Sequence, residues 1–212
     1  DFSAEKELNI ILYFHGMTRS TTIKSYWQQK EYQIRETPQT TKKKAILIAP
    51  TLGHNPNKTG KLSNPAFFDK YLTNIIESLM KQGLVATNAT VKNIFLSAHS
   101  AGGKLMLNIA TSNSNVSNKI RECWGLDCFY WGAERWVDWA KNNPDKKLWV
   151  YYTGSIIGHK SAKYGNDILY PKKGAKFANI AGQHKTKPWS HSSIVLPVLK
   201  ERIGLSQFIS AI

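Results

Sequence analysis

The apolar positions of the chain fall into two alternating textures. Unbroken apolar runs read as buried strands at Leu8 to Phe14, Ala45 to Ala49, Val91 to Ala98, Glu122 to Tyr130 and Lys147 to Thr153. The first ends in His15-Gly16; the second is closed by Pro50 and preceded by a polar stretch, Thr37 to Lys44. Between the runs lie segments with helical spacing. In Phe67 to Met80 the apolar residues Phe68, Tyr71, Leu72, Ile75, Ile76, Leu79 and Met80 share one helix face. Lys104 to Ala110 and Ala133 to Lys141 read as further helices, the latter ended by Asn143-Pro144. The tail predicts a weaker strand near Phe177 to Ile180 and a terminal helix near Ser193 to Ile203. Continuous apolar strands alternating with helices predict an α/β fold, a mostly parallel sheet with helices on both faces. Ligands bind beyond the carboxyl ends of such strands, so the residues after each run are where chemistry is sought.

Length and composition narrow the class. With 212 residues, no internal repeat and no dividing linker, residues 1–212 are expected to form a single domain, able to bury roughly 70% of its unfolded surface. The 7 Trp, 9 Tyr and 8 Phe supply more core material than a disordered chain carries. No apolar run approaches the roughly 18 residues of a membrane span. The segment Ile156 to Gln183 is rich in Lys, Gly and Tyr with little periodicity, and is expected to be a loop region shaping substrate access. Cys123 and Cys128 are too few for a disulfide framework. On one strand they would lie roughly 16 Å apart, beyond the roughly 7 Å limit for pairing. No H-x-x-x-H or C-x-x-C spacing is present, so neither a metal nor another cofactor is expected. The N-x-[ST] triplets at Asn57, Asn88 and Asn115 are weak signals in an Asn-rich chain. The chain opens at Asp1 without Met, as after removal of a leader or trimming, and a secreted or periplasmic place is expected over a cytoplasmic one.

Charge adds a possible partner. Lys+Arg number 29 against 14 Asp+Glu, a net +15. From Lys146 onward eleven basic residues face only Asp167 and Glu201. Such a half attracts an anionic surface or polymer by its long-range field; a solvated lysine surface with no partner is the competing reading. Only five of the basic residues are Arg, the side chain that reads guanine and clamps phosphate. With no helix-turn-helix, RNP or zinc pattern, specific nucleic-acid recognition is not expected.

The most informative segment is Ile94-Phe95-Leu96-Ser97-Ala98-His99-Ser100-Ala101-Gly102-Gly103. It reads as strand, sharp turn and helix with Ser100 at the apex, and matches the G-x-S-x-G nucleophile elbow with Ala98 at the first glycine. Small residues are needed two positions either side of the serine because the backbone turns under strain and the returning helix passes close by. The competing reading is a glycine-rich helix start with an incidental serine.

With this elbow, the order of elements and His15-Gly16 after the first strong strand, the sequence resembles the α/β-hydrolase superfamily over nearly its whole length, in the compact form without a lid. The resemblance implies a serine hydrolase with chain order Ser, acid, His. It also implies an oxyanion hole from the N–H groups of Met17 and Ala101, with Gly16 giving the backbone room to turn; one such donor is worth about 3 kcal/mol of barrier. His15 is expected to be structural. For the base, His99 adjoins Ser100 and is expected to point the wrong way. His191, in Trp189-Ser190-His191-Ser192-Ser193 before the terminal helix, leads His184 and His159. In the superfamily the acid usually follows the strand after next from the elbow, but Lys147 to Thr153 is followed by no carboxylate until Asp167. Asp127, one strand earlier, sits where some members carry it. It leads Asp167, with Asp138, Glu134 and Asp145 behind, and its competing role is a buried carboxylate capping the loop before Trp131. Five of the seven tryptophans lie between Trp124 and Trp149; they read as core, with a substrate-lining role as the alternative.

The expected function is cleavage of a carboxylic ester, on a small molecule or carried by a polymer, through Ser100, His191 and Asp127 and an acyl-enzyme. A thioesterase or amidase would use the same parts. The alternative is an inactive module of the same fold, binding an anionic polymer or surface through its lysine-rich half.

Overall fold

A computed structural model describes residues 2–18, 27, 29–58, 60–154, 159–170, 177–185 and 189–211, with the side chains of His159, His184 and Lys185 excepted. Six strands form one sheet: β1 (Glu7–Phe14), β2 (Ile46–Ile48), β3 (Thr90–His99), β4 (Ile120–Leu126), β5 (Lys147–Thr153) and β6 (Ile180–Lys185). Their order is β2-β1-β3-β4-β5-β6, and every neighbouring pair is parallel. Helices α1 (Thr37–Thr40), α2 (Pro65–Lys81), α3 (Gly103–Ala110), α4 (Asn115–Lys119), α5 (Ala133–Asn142), α6 (His159–Leu169) and α7 (Val195–Leu205) make the connections among the described residues. The α/β architecture anticipated from the hydrophobic pattern is the one observed.

Alternation along the strands divides the core between the two faces. Leu8, Ile10, Leu12 and Phe14 of β1 join Phe68, Leu72 and Ile76 of α2, Leu105 of α3 and Trp136 of α5. Ile11 and Tyr13 face the other way, into a cluster with Phe95, Trp124 and Tyr151 and with Val195, Val198, Leu199 and Ile203 of α7. α2 starts sharply because Asn64 accepts a hydrogen bond from the Phe67 N–H at 3.1 Å and Pro65 fills the first turn. α7 is tied to the sheet by polar contacts. The buried Glu122 accepts from Trp124 Nε1 at 2.9 Å and from Ser206 Oγ at 2.7 Å. Tyr151 donates to Glu201 at 2.7 Å, and Arg202 lies 3.7 Å from the Trp149 ring centre. Of the clustered tryptophans, Trp124, Trp136 and Trp139 are core, whereas Trp131 is 41% exposed.

Four expectations need correction. β4 stops at Leu126 rather than Tyr130, because Asp127 takes a left-handed φ of 49° that no strand accommodates. Cys128 is therefore beyond the strand, and the separation reckoned along it does not apply; both cysteines are buried and free. The last strand lies at Ile180–Lys185, displaced from Phe177 to Ile180. The segment Ile156 to Gln183 is not a structureless loop. It holds all of α6, whose Ile168 and Leu169 are buried against the sheet, and the start of β6; residues 156–158 and 171–176 lie outside the described residues. No helix among the described residues is long and apolar enough to cross a membrane.

The topology fixes where a ligand site belongs. From β1 the chain moves to the β2 edge, then crosses back to β3 and proceeds outward through β4, β5 and β6. The reversal opens a crevice between the carboxyl ends of β1 and β3.

Candidate functional site

Ser100 stands at that crevice. β3 ends at His99, and Ser100 opens a single tight turn, Ser100–Gly102, that leads into α3. Its φ is 51°, a left-handed value rare for a residue with a side chain. The turn fits because its neighbours are small. A Cβ on Gly102 would lie 2.3 Å from the Phe14 carbonyl oxygen, and one on Gly16 would lie 2.8 Å from Ser100 Cβ. The loop after β1 is thus pressed against the serine. Two further bonds hold that loop. The buried His15 accepts from the Leu52 N–H through Nε2 at 3.0 Å, and the Thr18 N–H donates to the His54 carbonyl at 3.3 Å. His15 Nδ1 then carries the proton and donates to the Gly16 carbonyl at 2.7 Å. Burial lowers its pKa, consistent with this neutral, structural role.

The structure brings Ser100, His191 and Asp127 into one hydrogen-bonded series from three separate loops. His191 Nε2 lies 2.9 Å from Ser100 Oγ, and His191 Nδ1 lies 2.7 Å from Asp127 Oδ2. Asp127 is fully buried, and its position follows from its strained backbone: its N–H donates to the Tyr151 carbonyl at 2.7 Å as β4 ends. Burial alone would raise its pKa. The hydrogen bond and charge of His191, with the Thr153 hydroxyl at 2.7 Å and the Thr153 N–H at 3.2 Å, outweigh burial and hold the carboxyl below its ordinary value. Hydroxyl, imidazole and carboxylate in this order form the arrangement that general-base activation of an alcohol needs.

The other candidates lie elsewhere. Asp167 is on α6, Glu134 and Asp138 are on α5, and Asp145 pairs with Arg121 at 3.5 Å. His184 is on β6 and His159 opens α6, their side chains outside the described set. Met17 and Ala101 follow Gly16 and Ser100, so their backbones flank the serine; Met17 is 56% exposed and Ala101 is buried.

Sequence reasoning missed two residues that shape this site. His99 is buried, and its Nε2 donates to the His191 carbonyl at 2.8 Å, with the two imidazole rings 4.7 Å apart. Placed beside the serine in sequence, it supports the loop that carries His191. Burial foremost, then the charge of His191, push its pKa down to about 3. Thr153, at the strand end where a carboxylate was sought, instead binds the carboxylate supplied by β4. On the other side, Ser190 and Ser193 cap each other, Ser193 Oγ accepting from the Ser190 N–H at 2.7 Å and Ser190 Oγ from the Ser193 N–H at 3.2 Å.

No protein-family model matches the chain, and a search of curated protein sequences returns no match. Solved structures do match. The ferric enterobactin esterase of Salmonella typhimurium aligns with a TM-score of 0.55 at 11% identity, over 93% of this chain and 51% of its own. A ferulic acid esterase aligns at 0.56 and 12% identity, over 94% and 87%. The S-formylglutathione hydrolase of Agrobacterium tumefaciens aligns at 0.57 and 10%, over 94% and 83%. The chain therefore spans about half the length of the first. The sheet order, the serine turn at its switch point and these superpositions together give the chain the fold of the α/β-hydrolase-like esterases.

Proposed function

We propose that the protein is a serine hydrolase that cleaves carboxylic esters through Ser100, His191 and Asp127. The observation that carries the reading is the continuous series of 2.9 and 2.7 Å contacts ending on a serine held at a φ of 51°. His191 takes the Ser100 proton as Oγ attacks the ester carbonyl, and returns it to the departing alcohol. Asp127 stays ionised, fixes the proton of His191 on Nδ1 and balances the charge of the imidazolium. The Met17 and Ala101 N–H groups receive the oxyanion, from loops already braced before charge develops. Water then enters by the same steps in reverse and releases the acid.

The names of the superposed esterases support an ester as substrate class; a thioester or amide would use the same groups. The net charge of +15 favours anionic esters by field alone. An inactive binding module is less well supported, since such a module has no need to keep three groups in hydrogen-bonded register. Labelling with a fluorophosphonate probe, followed by peptide mass spectrometry, tests the reading. Label on Ser100 that Ser100→Ala abolishes and His191→Ala suppresses is the expected result. A folded wild type that takes no label refutes it.

A further inference from the structure

Away from the serine, a polar cleft of about 350 Å³ lies where α3, α4 and α5 meet the turn into β5. The Ser100–Gly102 turn leads into one end of α3, and the cleft adjoins the other. About 12 Å of helix separates the two, and no step of the serine chemistry uses the cleft.

Its walls are braced before any ligand arrives. Arg135 of α5 reaches across to the end of α3 and donates to the Thr111 hydroxyl at 2.6 Å. The buried Asn179 Nδ2 is shared among the carbonyls of Ala140, Asn143 and Lys146, each at 3.0 Å, which fixes the end of α5 to the turn that follows. Lys146 in turn donates to the Ser117 carbonyl of α4 at 3.2 Å. A capping box between Ser114 and Ser117 closes the start of α4. Walls held in this way lose little freedom on binding.

The groups left over define what the cleft recognises. The side-chain amides of Asn113, Asn118 and Asn142 line it, are exposed, and make no hydrogen bond among the described residues. Each offers two N–H donors beside a carbonyl acceptor. The hydroxyls of Thr111 and Ser112 are already spent on the carbonyls of Leu107 and Ile109. Asp138 adds an acceptor, and apolar surface comes chiefly from Ala110 and the edge of Trp139. Charge narrows the class further. Asp138 and the carboxyl ends of α3 and α5, which carry partial negative charge, oppose an anion. Arg135, Lys146 and the net charge of +15 oppose a cation. A neutral molecule with hydroxyls on adjacent carbons fits, because each hydroxyl both donates and accepts.

We propose that this cleft is a saccharide-binding site that reads the hydroxyls of a neutral sugar chain through Asn113, Asn118, Asn142 and Asp138. The site stands independently of the role of Ser100. On the serine hydrolase reading, its place one helix away from the serine suits a sugar polymer that carries the ester.

The test is calorimetric titration of the intact protein with xylotetraose, cellotetraose, mannotetraose and maltotetraose. The side-chain amide resonances of Asn118 and Asn142 are followed by NMR in parallel. At least one of these sugars should bind with a Kd on the order of 1 mM or below and shift both resonances. The double variant Asn118→Ala, Asn142→Ala changes only exposed side chains. It should weaken binding about tenfold or more, with the urea midpoint and p-nitrophenyl acetate hydrolysis unchanged. Affinity should be the same at low and high salt, since the ligand carries no charge. Binding by none of these sugars overturns the proposal, as does an affinity that the double variant retains. An affinity that salt abolishes and sodium sulfate reproduces makes the cleft an anion site, which equally overturns it. A wild type that binds sugar but takes no fluorophosphonate label refutes the hydrolase reading alone, so the two failures are distinguishable.

Discussion

His99 offers a test in which stability and activity report on one hydrogen bond. A carbonyl oxygen only accepts, so the 2.8 Å contact to the His191 carbonyl puts a proton on His99 Nε2, and burial keeps the ring neutral. Burial holds its pKa down to about 3, against about 6.5 in an unfolded chain. Between those values the unfolded state binds a proton that the native state refuses. Stability therefore falls as pH falls, by about 1.4 kcal/mol per unit once below the unfolded value. From pH 8 to pH 4.5 the loss through this one residue comes to about 3 kcal/mol. His99→Gln removes the titration while keeping an amide donor for the carbonyl. Urea unfolding of both proteins across this range isolates the effect, because every other titrating group is shared. The stability advantage of wild type over the variant should shrink by about 3 kcal/mol toward pH 4.5. At pH 8, His99→Phe also leaves the His191 carbonyl without its donor, which costs about 1–3 kcal/mol and loosens the loop that aims Nε2 at Ser100. Its kcat on p-nitrophenyl esters should fall at least several-fold below that of His99→Gln. A stability gap that does not change with pH, or equal activity in the two variants, refutes the argument.

Two further outcomes follow from the site. Asp127→Asn keeps the shape but loses the charge that fixes the His191 tautomer, so kcat should fall by about 10³-fold or more, while Asp167→Asn should leave steady-state kinetics unchanged. Gly102→Ala places a methyl group 2.3 Å from the Phe14 carbonyl oxygen; the turn must open, lowering the urea midpoint by an amount equivalent to about 1–3 kcal/mol and slowing fluorophosphonate labelling of Ser100.

The parts legible in the sequence are those that local pattern encodes. β1, β3 and β5 are unbroken apolar runs because both faces of each are covered, and α2 has a full apolar stripe. Ser100 was readable because a strained turn between strand and helix tolerates only small neighbours. The failures share a different cause. β4 seemed to run on to Tyr130 because Cys128, Phe129 and Tyr130 are apolar enough for a strand; they are buried or half-buried in a loop whose Cys128 packs against Gly103 at the start of α3. α6 was invisible because the seven residues from His159 to Gly165 carry a glycine and few large apolar side chains, and it meets β5 through Gly165, which lies against the Tyr152 ring, with Ile168 and Leu169 buried at its end. His99 and Thr153 could not be assigned because their roles exist only across loops 92 and 26 residues apart in sequence.

The carboxylate paired with His191 shows most clearly how position and chemistry come apart. β4 and β5 are neighbours in parallel register, Leu126 opposite Tyr151, so their carboxyl ends open side by side a strand spacing apart, about 4.8 Å. His191 needs one carboxylate at Nδ1, and side chains from either strand end reach the same point. In this chain the carboxylate comes from β4 and the matching end of β5 supplies the Thr153 hydroxyl and N–H that accompany it. A buried carboxylate facing only one imidazole would keep lone pairs unpaired at a cost of about 1–3 kcal/mol; the threonine removes that cost.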